Sequence, residues 1–274
     1  MTRFPSIRRN SGGLFSQTDT RELELSVFDK PSPMDEDDCL YQLHDFCHDN
    51  HIHVSWDMQF RFACFYDFDY EKTKDSIVKK HRCRYLYLRM EAALVDQFMT
   101  QALFPLPGLK TKHTNSEVIY FCPAKYQPSQ KGGDLLVDNL CYILNQGCRT
   151  ERGCRNGMAF LANMHGFSAR NIHHGTIVKM VQMLQGDMVP TKIEFVIIVD
   201  PPAIFTRAWK AAKKAINGTL FKKVYFIRQE RLGEFLMDGY KEFLPDEFSS
   251  GWRDVNEIVE DYVDLMRYQD EHNR

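Results

Sequence analysis

Residue types able to do chemistry gather in three places along this chain, and each place suggests a different chemistry. His44, Cys47 and His48 stand at i, i+3 and i+4, with His51 and His53 just beyond, a spacing that can bring metal ligands onto one helix face. Asn50 ends that helix in this reading, so His51 and His53 fall past its end. With no second Cys/His knuckle nearby, no metal site is expected. Cys83 and Arg89 are separated by five residues, the interval that sets a thiolate beneath a phosphate-binding loop. The intervening Arg84, Tyr85, Leu86, Tyr87 and Leu88 include no glycine, so the backbone cannot readily curl into a cradle of amides. A turn or two of helix is expected there instead. The chain contains no glycine-rich phosphate loop, no GxSxG elbow and no HExxH. No catalytic residue is assigned, and neither enzyme activity nor a cofactor is expected.

The third place is a charge imbalance. Residues 201–229 hold Arg207, Lys210, Lys213, Lys214, Lys222, Lys223 and Arg228 with no Asp or Glu, whereas residues 230–274 hold thirteen acids against five bases. Net charge over the whole chain is only −2, so the field is local. On a helix, Phe205, Ala208, Trp209, Ala212 and Ile216 share one face while Arg207, Lys210, Lys213 and Lys214 share another. Such an element can hold cations against anionic headgroups, each worth about 1 kcal/mol, while its aromatic side meets a ligand or the acyl boundary. Nucleic acid is not expected as the anionic partner, because no base-reading motif accompanies the patch.

The elements that must position these residues follow from periodicity. Residues 1–33 are rich in Ser, Thr, Arg, Gly and Pro and read as a disordered tail, with no apolar segment of the kind a secretory signal carries. From 34 to 104 the apolar spacing is helical: Leu40, Leu43 and Phe46/Cys47, then Trp56 to Phe65, then Tyr70 to Val78, with Asp69 as a helix start. Pro105, Pro107 and Gly108 read as a hinge. Strand and helix then alternate: strands over 117–122, 157–164, 193–199 and 223–227, and helices over 134–145, 176–184, 205–216 and 232–237. That alternation predicts an α/β domain whose mostly parallel sheet is flanked by helices. Residues 252–270 read as an acidic amphipathic helix. The apolar fraction is 43%, with 20 Phe and 12 Met; a rich core uses such residues, and an apolar cavity would too. The longest apolar runs fall far short of the roughly 20 residues of a membrane span. Eight cysteines without small-scaffold spacing are expected to be free thiols in a reducing cytosol.

Four segments together resemble the CRAL-TRIO family. They are Gly157-Met-Ala-Phe-Leu-Ala-Asn-Met-His-Gly166, the stretch Leu184 to Pro202 with its Pro190-Thr-Lys192 turn, Lys223-Val-Tyr-Phe-Ile227, and Phe243-Leu-Pro-Asp-Glu-Phe248. Order and spacing match over about residues 110–250, and Gln59 to Tyr70 resembles the family's N-terminal helical segment. The set is similar to tocopherol- and retinaldehyde-carrying proteins, to phosphatidylinositol transfer proteins, and to the lipid module of some non-receptor tyrosine phosphatases.

The resemblance implies a small all-helical lobe and then a CRAL-TRIO domain whose sheet floors a lipid cavity closed by a mobile gate helix over 204–220. It implies a lipid or isoprenoid-like ligand, exchange at an anionic membrane surface, and a cytoplasmic, peripherally membrane-associated protein. Wall candidates are Phe160, Ala162 and Met164, then Phe195, Ile197 and Val199, then Phe205, Ala208, Trp209, Ala212 and Ile216. The sequence leaves open which pleat face turns inward. Inositol-lipid binders place a Glu where Thr191 stands and a basic pair where Tyr66 and Asp67 stand, so a headgroup pocket of their usual design is not expected. Lys192, Lys222 and Lys223 fit instead a surface patch for phosphoinositide membranes, together with Arg207, Lys210, Lys213 and Lys214. The alternative is a protein-interaction module with a vestigial pocket, its tails contacting a partner.

Overall fold

A computed structural model of the chain describes residues 35–126, 132–186, 188–205, 209, 213 and 216–272. The tail read over 1–33, and most of the helix read over 205–216, lie outside the described residues. Helices α1 (Glu36–Asp49), α2 (Trp56–Phe65) and α3 (Tyr70–Lys80) come first, and each begins where a side chain satisfies an orphan backbone donor. Asp35 accepts from Asp37 N, Ser55 from Met58 N, and Asp69 from Lys72 N. Cys39, Leu40, Leu43 and Cys47 form the buried stripe of α1. Cys47 is in the core while the His48 side chain is 84% exposed, so these two candidate metal ligands point apart. Residues Arg84–Tyr87 make one 3-10 turn, and α4 (Ala92–Met99) completes the helical region.

The segment read as a hinge is a strand. β1 (Leu103–Lys110) pairs antiparallel with β2 (Glu117–Phe121), with an irregularity between Pro105 and Lys110. It is the outermost strand of the five-stranded sheet, and an edge tolerates prolines because one row of its amides needs no partner. Gly108 supplies the left-handed φ of +85° within the irregular part.

From β2 the chain runs through α5 (Gly132–Gly147) and α6 (Glu151–Asn156) to β3 (Met158–Asn163). It continues through α7 (His174–Leu184) to β4 (Ile193–Val199), and through α8 (Gly218–Phe221) to β5 (Val224–Ile227). β2 to β5 are parallel and adjacent in chain order. Right-handed crossovers taken always in the same direction fall on one face of a sheet, so α5 and α7 lie side by side over the same face and pack on each other. The opposite face is covered by the chain after β5. There Phe235 meets Phe195 at 5.5 Å and Tyr225 at 5.0 Å, and Phe248 meets Tyr120 at 5.8 Å. The helix read over 232–237 is a 3-10 segment, Gln229–Glu234.

α9 (Val255–His272) buries Val255, Ile258, Val259, Tyr262, Val263 and Met266 against its own chain, next to α4 and β1. Asp270 near its end accepts from Met90 N at 2.9 Å and Tyr142 Oη at 3.1 Å, and pairs with Arg149. Its buried apolar stripe is therefore already occupied, and the exposed side, acidic but also carrying Leu265 and Tyr268, remains for any partner. From Met34 onward the chain forms one compact unit.

Gly157, which leads into β3, adopts φ +78°, and a Cβ there would stand 2.2 Å from Lys192 O. Replacing it by alanine adds both backbone strain and a clash with main chain. Gly157→Ala is expected to lose at least about 1–3 kcal/mol of unfolding free energy in urea titration; an unchanged midpoint would show that the β3 entry and the Pro190–Lys192 turn are not pressed together.

Candidate functional site

The face of the sheet beneath α5 and α7 is apolar and in register. Ile119, Phe160, Val196 and Val224 lie across the four parallel strands in one row, and Phe121, Ala162, Ile198 and Phe226 in the next. Between this face and the helices is a cavity of about 150 Å³. Its floor is Phe160, Ala162, Val196 and Ile198; Leu136 of α5 and Ile177, Met180, Val181 and Leu184 of α7 form the roof. Phe205, Trp209, Ile216 and Leu220 form the outer wall. Trp209 stacks between Phe205 (6.2 Å) and Phe221 (6.1 Å) and meets Phe226 edge-on at 4.8 Å.

No charged side chain is among the described residues that line the space. The polar groups at its wall are spent on protein partners. Tyr126 Oη and Thr176 Oγ1 are 3.1 Å apart, His173 Nδ1 is 2.8 Å from Thr176 Oγ1, and Asn171 donates to the carbonyls of Ala124 and Tyr126. An apolar space of this size can hold a benzene-sized body. Ligand sites for larger molecules run to roughly 300–1,000 Å³, so a long chain requires the outer wall to part.

Of the wall candidates, Phe160, Ala162, Met164, Phe205, Trp209 and Ile216 line the cavity. Ala208 and Ala212 lie outside the described residues. β4 requires a correction: Val196 and Ile198 face the cavity, whereas Phe195, Ile197 and Val199 are on the other side, where Phe195 packs on Phe235 and Tyr225. An irregular register between Met158/Phe160 and Ile193/Val196 sets that phase. Because both faces of a parallel strand are buried, apolarity could not reveal it. The roof residues of α7 were missed, although Ile177, Met180, Val181 and Leu184 repeat at helical spacing.

The basic candidates separate into two groups. Lys213 and Lys222 are exposed beside the outer wall, with Lys213 Nζ 4.9 Å from the Phe221 ring centroid. Arg207, Lys210 and Lys214 lie outside the described residues. Lys192 and Lys223 are instead taken up by protein partners, and Lys223 is drawn inward. Lys192 Nζ pairs with Asp67 at 2.6 Å, and Lys223 Nζ donates to Ile193 O at 2.6 Å. Burial, reinforced by Lys192, holds the Lys223 ammonium below the ordinary lysine range despite the nearby Glu194.

The CRAL/TRIO domain family model matches residues 107–249, just over half of the chain. The chain belongs to the CRAL/TRIO domain family. It is a family of lipid-binding and lipid-transfer proteins, in general carriers rather than enzymes. The crystal structure of Sfh5 shares the fold with a TM-score of 0.50 at 12% identity, covering 78% of this chain and 81% of Sfh5.

Within the CRAL/TRIO pattern, the position that carries Glu in inositol-lipid binders is Thr191 here, and its hydroxyl is taken by the protein itself. Buried Arg61 of α2 donates from Nη2 to Thr191 Oγ1 (2.9 Å), from Nε to Pro190 O (2.9 Å) and from Nη1 to Asn145 Oδ1 (2.8 Å). The turn into β4 is thereby tied to the helical region.

Phe195→Ala opens a void on the face away from the cavity and is expected to cost about 3–5 kcal/mol in chemical denaturation; a loss under 1 kcal/mol would contradict the placement. For Lys223, a folded-state pKa below 10.5 means that the folded chain releases this proton before the unfolded chain does. Its contribution is thus least favourable at neutral pH and improves as pH rises towards 10.5. The unfolding free-energy difference between Lys223→Met and the parent should favour the variant most near neutral pH and shrink under alkaline conditions; a constant difference would contradict the desolvation.

Proposed function

We propose that this CRAL/TRIO protein carries one uncharged, hydrophobic lipid-like molecule between anionic membranes, by binding alone and without a metal or cofactor. The observation that carries this reading is the chemistry of the described cavity wall: its side chains are apolar apart from Tyr126, Asn171 and Thr176, whose polar groups are hydrogen-bonded within the protein. An ionised headgroup would find no counter-charge among the described lining residues and would lose its hydration. A hydrocarbon or isoprenoid body gains about 0.8 kcal/mol per methylene withdrawn from water. Lys213 and Lys222, beside the exposed Phe221, suit the surface that meets the membrane: cations face phosphates and the ring faces the acyl boundary. Opening of the aromatic wall there would pass cargo directly between bilayer and cavity, placing the protein at the cytosolic surface of membranes.

One observation favours a second reading, a protein-interaction module with a vestigial pocket: at about 150 Å³ the cavity is smaller than a lipid. Uptake separates the two. The full chain, incubated with neutral vesicles containing a fluorescent isoprenoid alcohol, is expected to withdraw it stoichiometrically. Ala162→Phe, which fills the floor, should reduce uptake at least tenfold while keeping a cooperative melting transition. No uptake by the parent protein would favour the vestigial pocket. Lys213→Gln with Lys222→Gln should weaken cosedimentation with phosphatidylserine vesicles on the order of tenfold, and equal binding would remove the docking surface from the account.

A further inference from the structure

Tyr41 of α1 and Trp56 at the start of α2 are 64% and 43% exposed. A single exposed ring is ordinary, but these two meet at 5.9 Å with their planes 59° apart, and His44 meets Trp56 at 5.7 Å. Together they form one aromatic patch on the surface. Elsewhere in the helical region, rings are covered by the chain's own cations. Lys74 Nζ lies 5.9 Å from the Phe46 centroid and 5.1 Å from that of Tyr70, and the Arg155 guanidinium lies 5.3 Å from Phe60 and 5.6 Å from Phe68. These distances fall within the roughly 6 Å over which a ring face attracts a cation. Among the described residues no Lys or Arg stands over Tyr41 or Trp56. The surrounding charge is one-sided. Residues 34–60 hold seven acids and no Lys or Arg, and every one of those acids is exposed. Of them, only Glu36 pairs with a Lys or Arg among the described residues.

We propose that Tyr41, His44 and Trp56 form a docking surface for a Lys- and Arg-rich segment of a partner protein. A guanidinium is weakly hydrated and stacks on aromatic faces while its N–H groups reach carboxylates. Asp37, Tyr41, His44, Asp45 and His48 share the exposed side of α1 by helical spacing. Asp57 follows Trp56 directly, so carboxylates border the rings on both helices. An anionic bilayer would be repelled by this charge, which sets the patch apart from the surface of Lys213 and Lys222. None of the three rings is among the described residues that line the cavity. A partner bound here leaves the described cavity wall uncovered, and the inference stands whether or not a lipid is carried.

Isothermal titration of the full chain with an oligo-arginine peptide tests the surface, with oligo-glutamate as the control of opposite charge. The parent is expected to bind oligo-arginine and not oligo-glutamate, with affinity falling at high salt. Trp56→Leu with Tyr41→Ala should weaken binding at least about fivefold, whereas Trp56→Phe, which keeps a ring, should stay within about twofold of the parent. Asp37→Asn with Asp45→Asn, which leaves the rings in place, should weaken it by about threefold or more. Tyr268→Ala, on the acidic side of α9, should leave it unchanged, and circular dichroism should report a cooperative melting transition in each variant. No binding by the parent, equal affinity after loss of both rings, or an equal loss in Tyr268→Ala would overturn the proposal. So would Trp56-dependent sedimentation with phosphatidylcholine vesicles or Trp56-dependent self-association, which would assign the patch to a bilayer or to a second copy of the chain.

Discussion

A parallel sheet in register must be covered on both faces, and in this protein the two coverings differ in kind. One face is sealed by rings from the chain after β5. The other meets helices that stand far enough off to leave apolar space over Phe160, Ala162, Val196 and Ile198. The proposed carrier function depends on that gap, because apolar surface facing a void is apolar surface available to a guest. Chain-order strand placement creates it by sending the crossovers to the same side.

The sheet is held by polar contacts remote from the cavity. Arg61 clamps the turn before β4, and Tyr120 Oη donates to Glu247 Oε2 at 2.5 Å while accepting from Asn163 Nδ2 at 3.0 Å. Lys125 pairs with the same Glu247. Asp270 secures the last helix. The described part of the outer wall is built differently, from stacked rings and a cation over a ring. Ring contacts contribute about 0.5–1.5 kcal/mol each and have less directional demand than a buried guanidinium. On the proposed carrier function, release would break ring contacts at the wall and leave the buried polar ties of the sheet in place.

Much of this was legible beforehand, for identifiable reasons. Residues 193–199 announce themselves as a strand through five β-branched residues and flanking turn chemistry, and their limits agree with β4. The inward face of β4 was not legible: Phe195 and Val196 are equally apolar, and an irregular pairing with β3 sets the phase. β1 was taken for a hinge because Pro105 and Pro107 are poor strand residues except at an edge, and edge position is a tertiary fact. Lys223 looked like surface charge, yet the Ile193 carbonyl, distant in sequence, draws it inward, while Lys192 is engaged at the surface by Asp67. Arg61 gave no signal at all, since a buried arginine with neutral partners looks like any other arginine in a helix.

The central claim is that the space above the sheet exists to be occupied. Native mass spectrometry of the protein purified without detergent tests it most directly. The account predicts a noncovalent adduct, one per chain, whose extracted component is uncharged and hydrophobic. Protein that is empty as isolated, and stays empty after exposure to a total lipid extract, would contradict it.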